Sequence, residues 1–487
     1  MTTENTTPHA PQAPQIVILG GGPGGYEAAL VAARLGAAVT IIEQKGFGGS
    51  TVLTDVVPSK TLIATAEWMT MGGAAAELGI RINDATGADS HTITADLKAI
   101  NDRIRALAHT QSTDIAFRLR SAGIRTINGR GTLLSDREVK ATKIVDESGQ
   151  ELPDEILKAD SILVAVGATP RVLPEATPDG VRVLSWTQLY NLETLPEHLI
   201  VVGSGVTGAE FAGAYHALGA QVTLVSSRDR VLPGEDADAA NLIEEVFRSR
   251  GMTVMSRSRA LGAKVVGEGA DEHVEVTLQD GRVVSGSHVL MAVGSIPNTT
   301  DIGLKNVGVA TTDSGHIVTD KVSRTSVRGV YAAGDCTGVF PLASVAGMQG
   351  RIAMSHALGD TVNPIKLRTV AANIFTTPEI ATVGYAQKEL ADLDMKYTVT
   401  MIQLRGNARA KMMGMREGFV KLFSRTESGT VVGGVIVAPR ASELIYPITL
   451  AVQHRLTVDD VAAAFTVYPS LTGSIAEAAL MGHTREV

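Results

Sequence analysis

Short apolar runs, each followed by glycines and then by an alanine-rich stretch, recur along the chain. Residues 15–19 read QIVIL and residues 39–42 read VTII, with GGGPGGYEAALVAARLGAA between them. The same order returns later as HLIVV, GSGVTGAEFAGAYHALGAQ and VTLV, at residues 198–202, 203–221 and 222–225. The offset between the copies is constant at 183 residues, Gly203 after Gly20 and Gly219 after Gly36. Apolar runs this short, bounded by turn residues, predict strands buried on both faces. The alanine-rich stretch predicts a helix, with Gly36 and Gly219 where a C-terminal cap glycine belongs. Each copy therefore predicts one strand–helix–strand unit of a parallel sheet.

Between the copies, residues 93–122 predict a polar helical region. SILVAVGATPRVLP (residues 161–174) and HVLMAVGSIPNT (residues 288–299) each read as an apolar strand that ends in glycine and proline, a composition suited to a crossing between domains. From about Lys366 onward the pattern becomes an α+β mixture without glycine-rich units. The expected fold is α/β, with two Rossmann-like dinucleotide-binding domains and an α+β C-terminal domain. The first 14 residues, rich in Thr, Pro and Ala, are expected to form a frayed tail.

A chain of 487 residues has room for about three domains. Hydrophobic residues at 44% and charged residues at 19% give enough apolar side chain for sizeable cores and argue against wholesale disorder. The formal net charge of −8 comes without a clustered Lys/Arg stripe, which speaks against nucleic acid as a partner. The single cysteine, Cys336, excludes an intramolecular disulfide and any Cys-pair metal site. Histidines are scattered without HExxH spacing, so no metal is expected. No basic, apolar leader and no run of about 18 apolar residues is present, so the expectation is a cytoplasmic protein without stable membrane insertion.

The candidate chemistry begins at Gly20-x-Gly22-x-x-Gly25, which follows a predicted strand and opens a predicted helix. In such a turn the first glycine permits the sharp bend, the second lets a pyrophosphate approach the backbone, and the third packs helix on strand. The helix N-terminus then favours the negative charge. Glu43 ends the second strand, where a carboxylate binds the hydroxyls of an adenosine ribose. Gly203-x-Gly205-x-x-Gly208 repeats the turn. At the position equivalent to Glu43 stands Ser226, followed by Ser227 and Arg228. A carboxylate there would repel a 2′-phosphate, whereas hydroxyls and an arginine accept one, so this unit is expected to take NADPH, and NADH beside it.

Over nearly its whole length the chain resembles the flavoprotein pyridine nucleotide–disulfide oxidoreductases, the family of lipoamide dehydrogenase and glutathione reductase. Four further stretches carry the resemblance. Tyr331-Ala332-Ala333-Gly334-Asp335 is similar to the family's second FAD motif, whose Asp binds the ribitol. Val293-Gly294-Ser295-Ile296-Pro297-Asn298-Thr299 is similar to its G-R-x-P-N-T segment, with Ser295 in place of Arg. Residues 373–384, NIFTTPEIATVG, resemble the start of its dimerisation domain, and residues 48–60 its redox-active segment. The resemblance implies an FAD-binding domain at residues 15–165 and 290–360, an NAD(P)-binding domain at 166–289, and a dimerisation domain at 361–487. It implies a homodimer. It implies Lys60 and Glu210 as a pair beside the flavin and nicotinamide, and adds Ser50, Gly131 and Ala343 to the flavin-binding positions.

The departures from the family pattern are paired. The redox segment, G-G-T-C-x-x-x-x-C-I-P-S-K in the family, here reads GGSTVLTDVVPSK, with Thr51 and Val56 at the cysteine positions. Neither can be a thiolate nucleophile or form a mixed disulfide. The C-terminal H-P-T-x-S-E of the family is here YPSLTG, with Tyr468 for the histidine base and Gly473 for its glutamate. A phenol titrating near pH 10 cannot act as the neutral-pH base that an imidazole can. Both halves of the dithiol machinery are missing while Lys60 and Glu210 remain. The expectation is an FAD-dependent NAD(P)H:quinone oxidoreductase, with Lys60, Glu210 and the partner protomer's copy of Tyr468 at the reacting centre and a quinone or similar small acceptor. The resemblance is nearest to the NAD(P)H:quinone reductase branch that lacks these cysteines. Two alternatives stay open at this point: a soluble pyridine-nucleotide transhydrogenase, and a flavin-binding scaffold or redox sensor without catalysis. Cys336, directly after Asp335, is either a redox relay or an ordinary core thiol.

Overall fold

A computed structural model describes residues 13–483 except 74, 81–92 and 147. Apart from Ala13 and Pro14, the tail expected at the N-terminus lies outside the described residues. The chain divides into two compact units, with crossings at Thr169/Pro170 and Gly294/Ser295, inside the two glycine–proline segments. Among the described residues no helix is long and apolar enough to cross a membrane.

The first unit contains the chain up to Pro58, Arg105–Thr169 and Ser295–Ile365. Its sheet runs Val330–Ala332, Ser161–Val164, Gln15–Leu19, Ala38–Glu43 and Arg125–Leu133, all parallel, and continues into antiparallel Glu138–Val145. Ile16, Val17, Ile18 and Leu19 are buried on both faces of the central strand, which is why that run is continuously apolar rather than alternating. Helix Pro23–Arg34 packs on helix Ala343–Ala357 almost backbone to backbone: a Cβ on Gly350 would stand 2.0 Å from the Gly24 carbonyl oxygen. The helical region expected over residues 93–122 runs Leu97–Ser121. It starts later because Asp96 caps it, its Oδ1 accepting from the Ala99 N–H at 3.0 Å.

The second unit contains Ser59–Ile104, Pro170–Gly294 and Lys366–Val487. A five-stranded parallel sheet is ordered Thr253–Met255, Gln221–Val225, His198–Val202, His288–Met291 and Val183–Ser185. A five-stranded antiparallel sheet is ordered Ala372–Ile374, Glu379–Gly384, Val431–Ala438, Phe419–Arg425 and Tyr397–Gln403. The two sheets do not form separate bodies. Leu62, Phe211, Tyr215 and Phe247 share one apolar cluster with Ile380, Phe419 and Phe423. Lys421, 2% exposed, completes the join: its Nζ lies 2.9 Å from Asp236 and 2.7 Å from Asp238, the residues that open helix Ala237–Ser249.

Candidate functional site

In the first unit the Gly20–Gly25 turn follows strand Gln15–Leu19, and each glycine answers a different steric demand. Gly20 has φ +100°, and a Cβ there would lie 2.2 Å from the Ala165 carbonyl oxygen. A Cβ on Gly25 would lie 1.9 Å from the Gly20 carbonyl oxygen, so only glycine lets the helix sit this close to the strand. Gly22 meets nothing within 4 Å, which leaves open space for a ligand at the N-terminus of helix Pro23–Arg34. Glu43 is fixed against this turn: its carboxylate accepts from the Gly21 N–H and the Lys45 N–H, both at 2.6 Å.

The other residues expected on the flavin side lie in the same unit. Strand Val330–Ala332 leads into Gly334, whose N–H donates to Gln349 Oε1 at 2.8 Å. Asp335 follows, half-buried, and its carboxylate makes no hydrogen bond among the described residues. Burial pushes that carboxyl above the ordinary range, with His316 opposing the shift. An ordered carboxylate with spare acceptors is suited to the hydroxyls of a ribityl chain. Ala343 begins helix Ala343–Ala357, and Gly131 lies on strand Arg125–Leu133, where a Cβ would press to 2.8 Å from Leu19. These features fit a flavin adenine dinucleotide along the carboxyl edge of the sheet. Gln349, 2% exposed, has no signal in the sequence pattern.

The segment that carries the two replaced cysteine positions lies against this turn. The Gly48 N–H donates to the Gly21 carbonyl at 2.8 Å, and a Cβ on Gly49 would come within 2.9 Å of Gly22 Cα. Thr51 sits in helix Gly49–Leu53 and Val56 opens helix Val56–Gly73; both are half-buried, and Ser50 between them and the turn is exposed. Cys336 is fully buried with its thiol donating to the Ala333 carbonyl at 3.3 Å. Burial pushes that thiol up to about 12, so it is a core side chain and not a thiolate.

In the second unit the turn repeats almost atom for atom. Gly203 has φ +112°, with a Cβ position 2.2 Å from the Ala292 carbonyl oxygen; a Cβ on Gly208 would lie 1.8 Å from the Gly203 carbonyl oxygen; Gly205 again meets nothing within 4 Å. Gly294, φ +92°, ends the crossing strand with open space at its Cβ position. Ser227 and Arg228 are exposed. Ser226 is not brought out with them. It is fully buried, and its Oγ is 2.7 Å from Ser204 Oγ and accepts from the Arg228 N–H at 3.1 Å. Its hydroxyl is thereby engaged with the glycine-turn residue Ser204, as the Glu43 carboxylate is with Gly21 in the first copy.

Lys60 and Glu210 are brought together across 150 residues of sequence, Nζ to Oε2 at 2.7 Å. Glu210 is 4% exposed, and its other oxygen accepts from the Phe375 N–H at 2.8 Å. The Lys60 ammonium also stands 4.9 Å from the centre of the Phe375 ring, a cation–π contact. Phe375 was visible only as part of the NIFTTPE stretch, without a role. Glu27, at the equivalent position of the first copy, has no such setting and pairs loosely with Arg351 at 3.5 Å. Tyr468 is 87% exposed and precedes a cis peptide to Pro469. Asn407 pins the residues after it, its Nδ2 donating to the Ser470 carbonyl at 3.0 Å and to Ser474 Oγ at 2.9 Å. Gly473 opens helix Gly473–Met481. Among the described residues no cluster of His, Cys, Asp and Glu could hold a metal ion.

Residues 14–350 match the family model described as pyridine nucleotide-disulphide oxidoreductase, and residues 370–479 match that family's dimerisation domain. An NAD(P)H dehydrogenase (quinone) of Mycobacterium tuberculosis is 52% identical over 474 residues, covering 96% of this chain and 94% of the relative. A dihydrolipoyl dehydrogenase of Chlamydia muridarum is 32% identical over 468 residues, covering 96% of each. Among solved structures, the crystal structure of LpdA from Mycobacterium tuberculosis superposes with a TM-score of 0.89 at 51% identity, over 97% of this chain and 100% of that one. The flavoprotein disulfide reductase RclA of Escherichia coli shares the fold, with a TM-score of 0.82 at 22% identity over 96% of this chain and 99% of that one.

Proposed function

The chain belongs to the pyridine nucleotide-disulphide oxidoreductase family, and from that premise we propose that it carries two electrons from NAD(P)H to a quinone without a disulfide step. The family uses FAD and a pyridine nucleotide. When bound, FAD would supply the two-electron redox chemistry between the nicotinamide and the acceptor. The chain supplies the rest. Gly20, Gly22 and Gly25, with Glu43, Asp335, Gly334, Gly131, Ser50 and Ala343, are assigned to holding FAD. Gly203, Gly205 and Gly208, with Gly294, Ser227 and Arg228, are assigned to the nicotinamide dinucleotide. Lys60, anchored by Glu210, is assigned to neutralising the negative charge that develops as the hydride is transferred.

The observation that carries this reading is a contrast. The Lys60–Glu210 pair is complete, with its second carboxylate oxygen satisfied, while Thr51, Val56, Tyr468 and Gly473 leave nothing to pass electrons to a dithiol. Thr51, Val56 and Tyr468, standing where two thiols and an imidazole would, suit a planar, apolar acceptor better than a charged thiol substrate. The close relative's printed name, NAD(P)H dehydrogenase (quinone), supports the same acceptor class. The dimerisation domain supports a homodimer, in which we assign Tyr468 of the partner protomer to the acceptor side. The three-way division into residues 15–165 with 290–360, 166–289 and 361–487 is kept as the functional assignment. Steady-state NADPH oxidation with a naphthoquinone, lipoamide and an NAD analogue tests the proposal. Quinone turnover is expected to dominate; faster turnover of lipoamide or of the NAD analogue, with the quinone inert, would overturn it.

A further inference from the structure

In the second unit two neighbouring parallel strands end side by side. Gln221–Val225 and Thr253–Met255 pair from Thr223↔Thr253 to Val225↔Met255, and nucleotides bind over the carboxyl ends of such strands. The loops that follow carry Ser226-Ser227-Arg228 and Ser256-Arg257-Ser258. Two backbone hydrogen bonds tie one loop to the other: the Arg257 N–H donates to the Arg228 carbonyl at 2.6 Å, and the Ser258 N–H to the Ser226 carbonyl at 2.7 Å. Arg257 has φ +52°, in the left-handed region that residues with side chains seldom occupy. Such conformations persist where surrounding bonds over-determine them, and they gather at ligand clamps.

The charge of the two loops points the same way. Residues 226–230 and 256–259 carry four arginines, Arg228, Arg230, Arg257 and Arg259, against one acid, Asp229. Arg228 and Arg257 are exposed, and neither guanidinium has a hydrogen bond or ion pair among the described residues. The neighbouring Arg282 is by contrast committed, to Asp280 at 2.6 Å and to Ser258 Oγ at 2.8 Å. With the Ser226 hydroxyl spent inside the loop, the exposed residues among the first three after each strand are Ser227, Arg228 and Arg257.

We propose that Arg228 and Arg257 form a two-armed site for the 2′-phosphate of NADPH, which makes Arg257 a specificity-determining residue that its place in the sequence does not announce. A phosphate dianion accepts paired N–H bonds from a guanidinium, whereas the 2′-hydroxyl of NADH offers no charge for either arm. The proposal rests on the reading of this unit as the NAD(P)H site.

Adenosine 2′,5′-bisphosphate and 5′-AMP differ only in the 2′-phosphate, so calorimetric titration of the FAD-loaded dimer with each isolates the clamp from catalysis. The wild-type protein prefers the bisphosphate. Arg257→Gln lowers that preference roughly tenfold, the scale of one lost hydrogen bond to a charged group; Arg228→Gln does the same, and Arg257→Lys recovers part of the loss because a point charge remains. Equal weakening of both compounds by Arg257→Gln, or an unchanged preference, overturns the clamp. A wild-type protein that binds 5′-AMP in competition with NADH but shows no preference for the bisphosphate overturns the clamp alone. Failure of NADH to displace either compound removes the nucleotide site itself and the clamp with it.

Discussion

Replacing Lys60 with Met keeps most of the apolar stem and deletes the ammonium. In the structure that ammonium lies 2.7 Å from Glu210 Oε2 and 4.9 Å from the centre of the Phe375 ring. Removing one preorganised group that stabilises developing charge costs about 2.7–4 kcal/mol of activation free energy in a water-excluded site. Lys60 is 26% exposed, so solvent screens part of this, and about 2 kcal/mol is the better figure. That corresponds to a roughly thirtyfold slower reduction by NAD(P)H. The stability effect is separate. Glu210, 4% exposed, keeps only the Phe375 N–H as a donor, and an under-satisfied buried carboxylate costs about 1–3 kcal/mol. Glu210→Gln retains an acceptor for the Phe375 N–H and is expected to be the milder folding variant while still slowing the reaction. The assay is anaerobic stopped-flow loss of the yellow absorbance after mixing with NADPH, beside FAD content and a thermal melt. FAD content is expected to stay near wild type because the residues assigned to the rest of the dinucleotide, the Gly20–Gly25 turn, Glu43 and Asp335, are untouched. Reduction by Lys60→Met at a rate within twofold of wild type would refute the assigned role.

Three further outcomes follow from the same geometry. Burial raises the Asp335 carboxyl, so without a donor the folded chain holds that proton more tightly than the unfolded chain, and the group's contribution to stability is fullest at low pH and lost as pH rises through the raised value. A ribityl hydroxyl donating to the ionised carboxylate favours the opposite form, so FAD affinity is expected to rise with pH across that value. Asp335→Asn should flatten this dependence in equilibrium dialysis, and an undiminished slope would remove Asp335 from the FAD site. The double substitution Thr51→Cys and Val56→Cys should give no lipoamide turnover, since Tyr468 and Gly473 still stand where a base and its orienting carboxylate are needed; brisk turnover would show the base to be dispensable. Tyr468→Ala should slow naphthoquinone turnover by about tenfold, the loss of one aromatic contact at an apolar site with its buried area, while reduction by NADPH stays at the wild-type rate; equal slowing of both half-reactions would contradict the acceptor-side assignment.

The two nucleotide turns were legible because their demands are local and steric. A side chain at Gly20 or Gly203 would strike a carbonyl oxygen at 2.2 Å, so the glycines are written into the sequence at set spacing beside the strand and helix they join. The Lys60–Glu210 pair was legible only through the family resemblance, because no local pattern links residues so far apart. Phe375, Gln349, Asn407 and Arg257 went unread for the same reason: each acts on a distant segment through one or two bonds. Ser226 is the reverse case. Its place in the repeat matched Glu43, but its small side chain is drawn under the loop to Ser204, a preference that alignment of the two copies does not reveal. The helix over residues 97–121 starts about a turn later than the polar pattern from residue 93 predicts, because Asp96 caps it. The change of pattern near Lys366 was visible, yet the packing of the C-terminal sheet with the second nucleotide unit was not, since a shared core such as Phe211 with Phe419 leaves no mark in either stretch alone.

The central claim is that electrons reach the acceptor from the flavin without any thiol. The most direct test is a double-mixing experiment on the Cys336→Ala protein, reduced anaerobically with one equivalent of NADPH and then mixed with a naphthoquinone. The account predicts full and rapid return of the yellow absorbance with stoichiometric hydroquinone, at the wild-type rate. Return of the absorbance only with lipoamide or an oxidised nicotinamide, or loss of quinone reduction on removing Cys336, would contradict it.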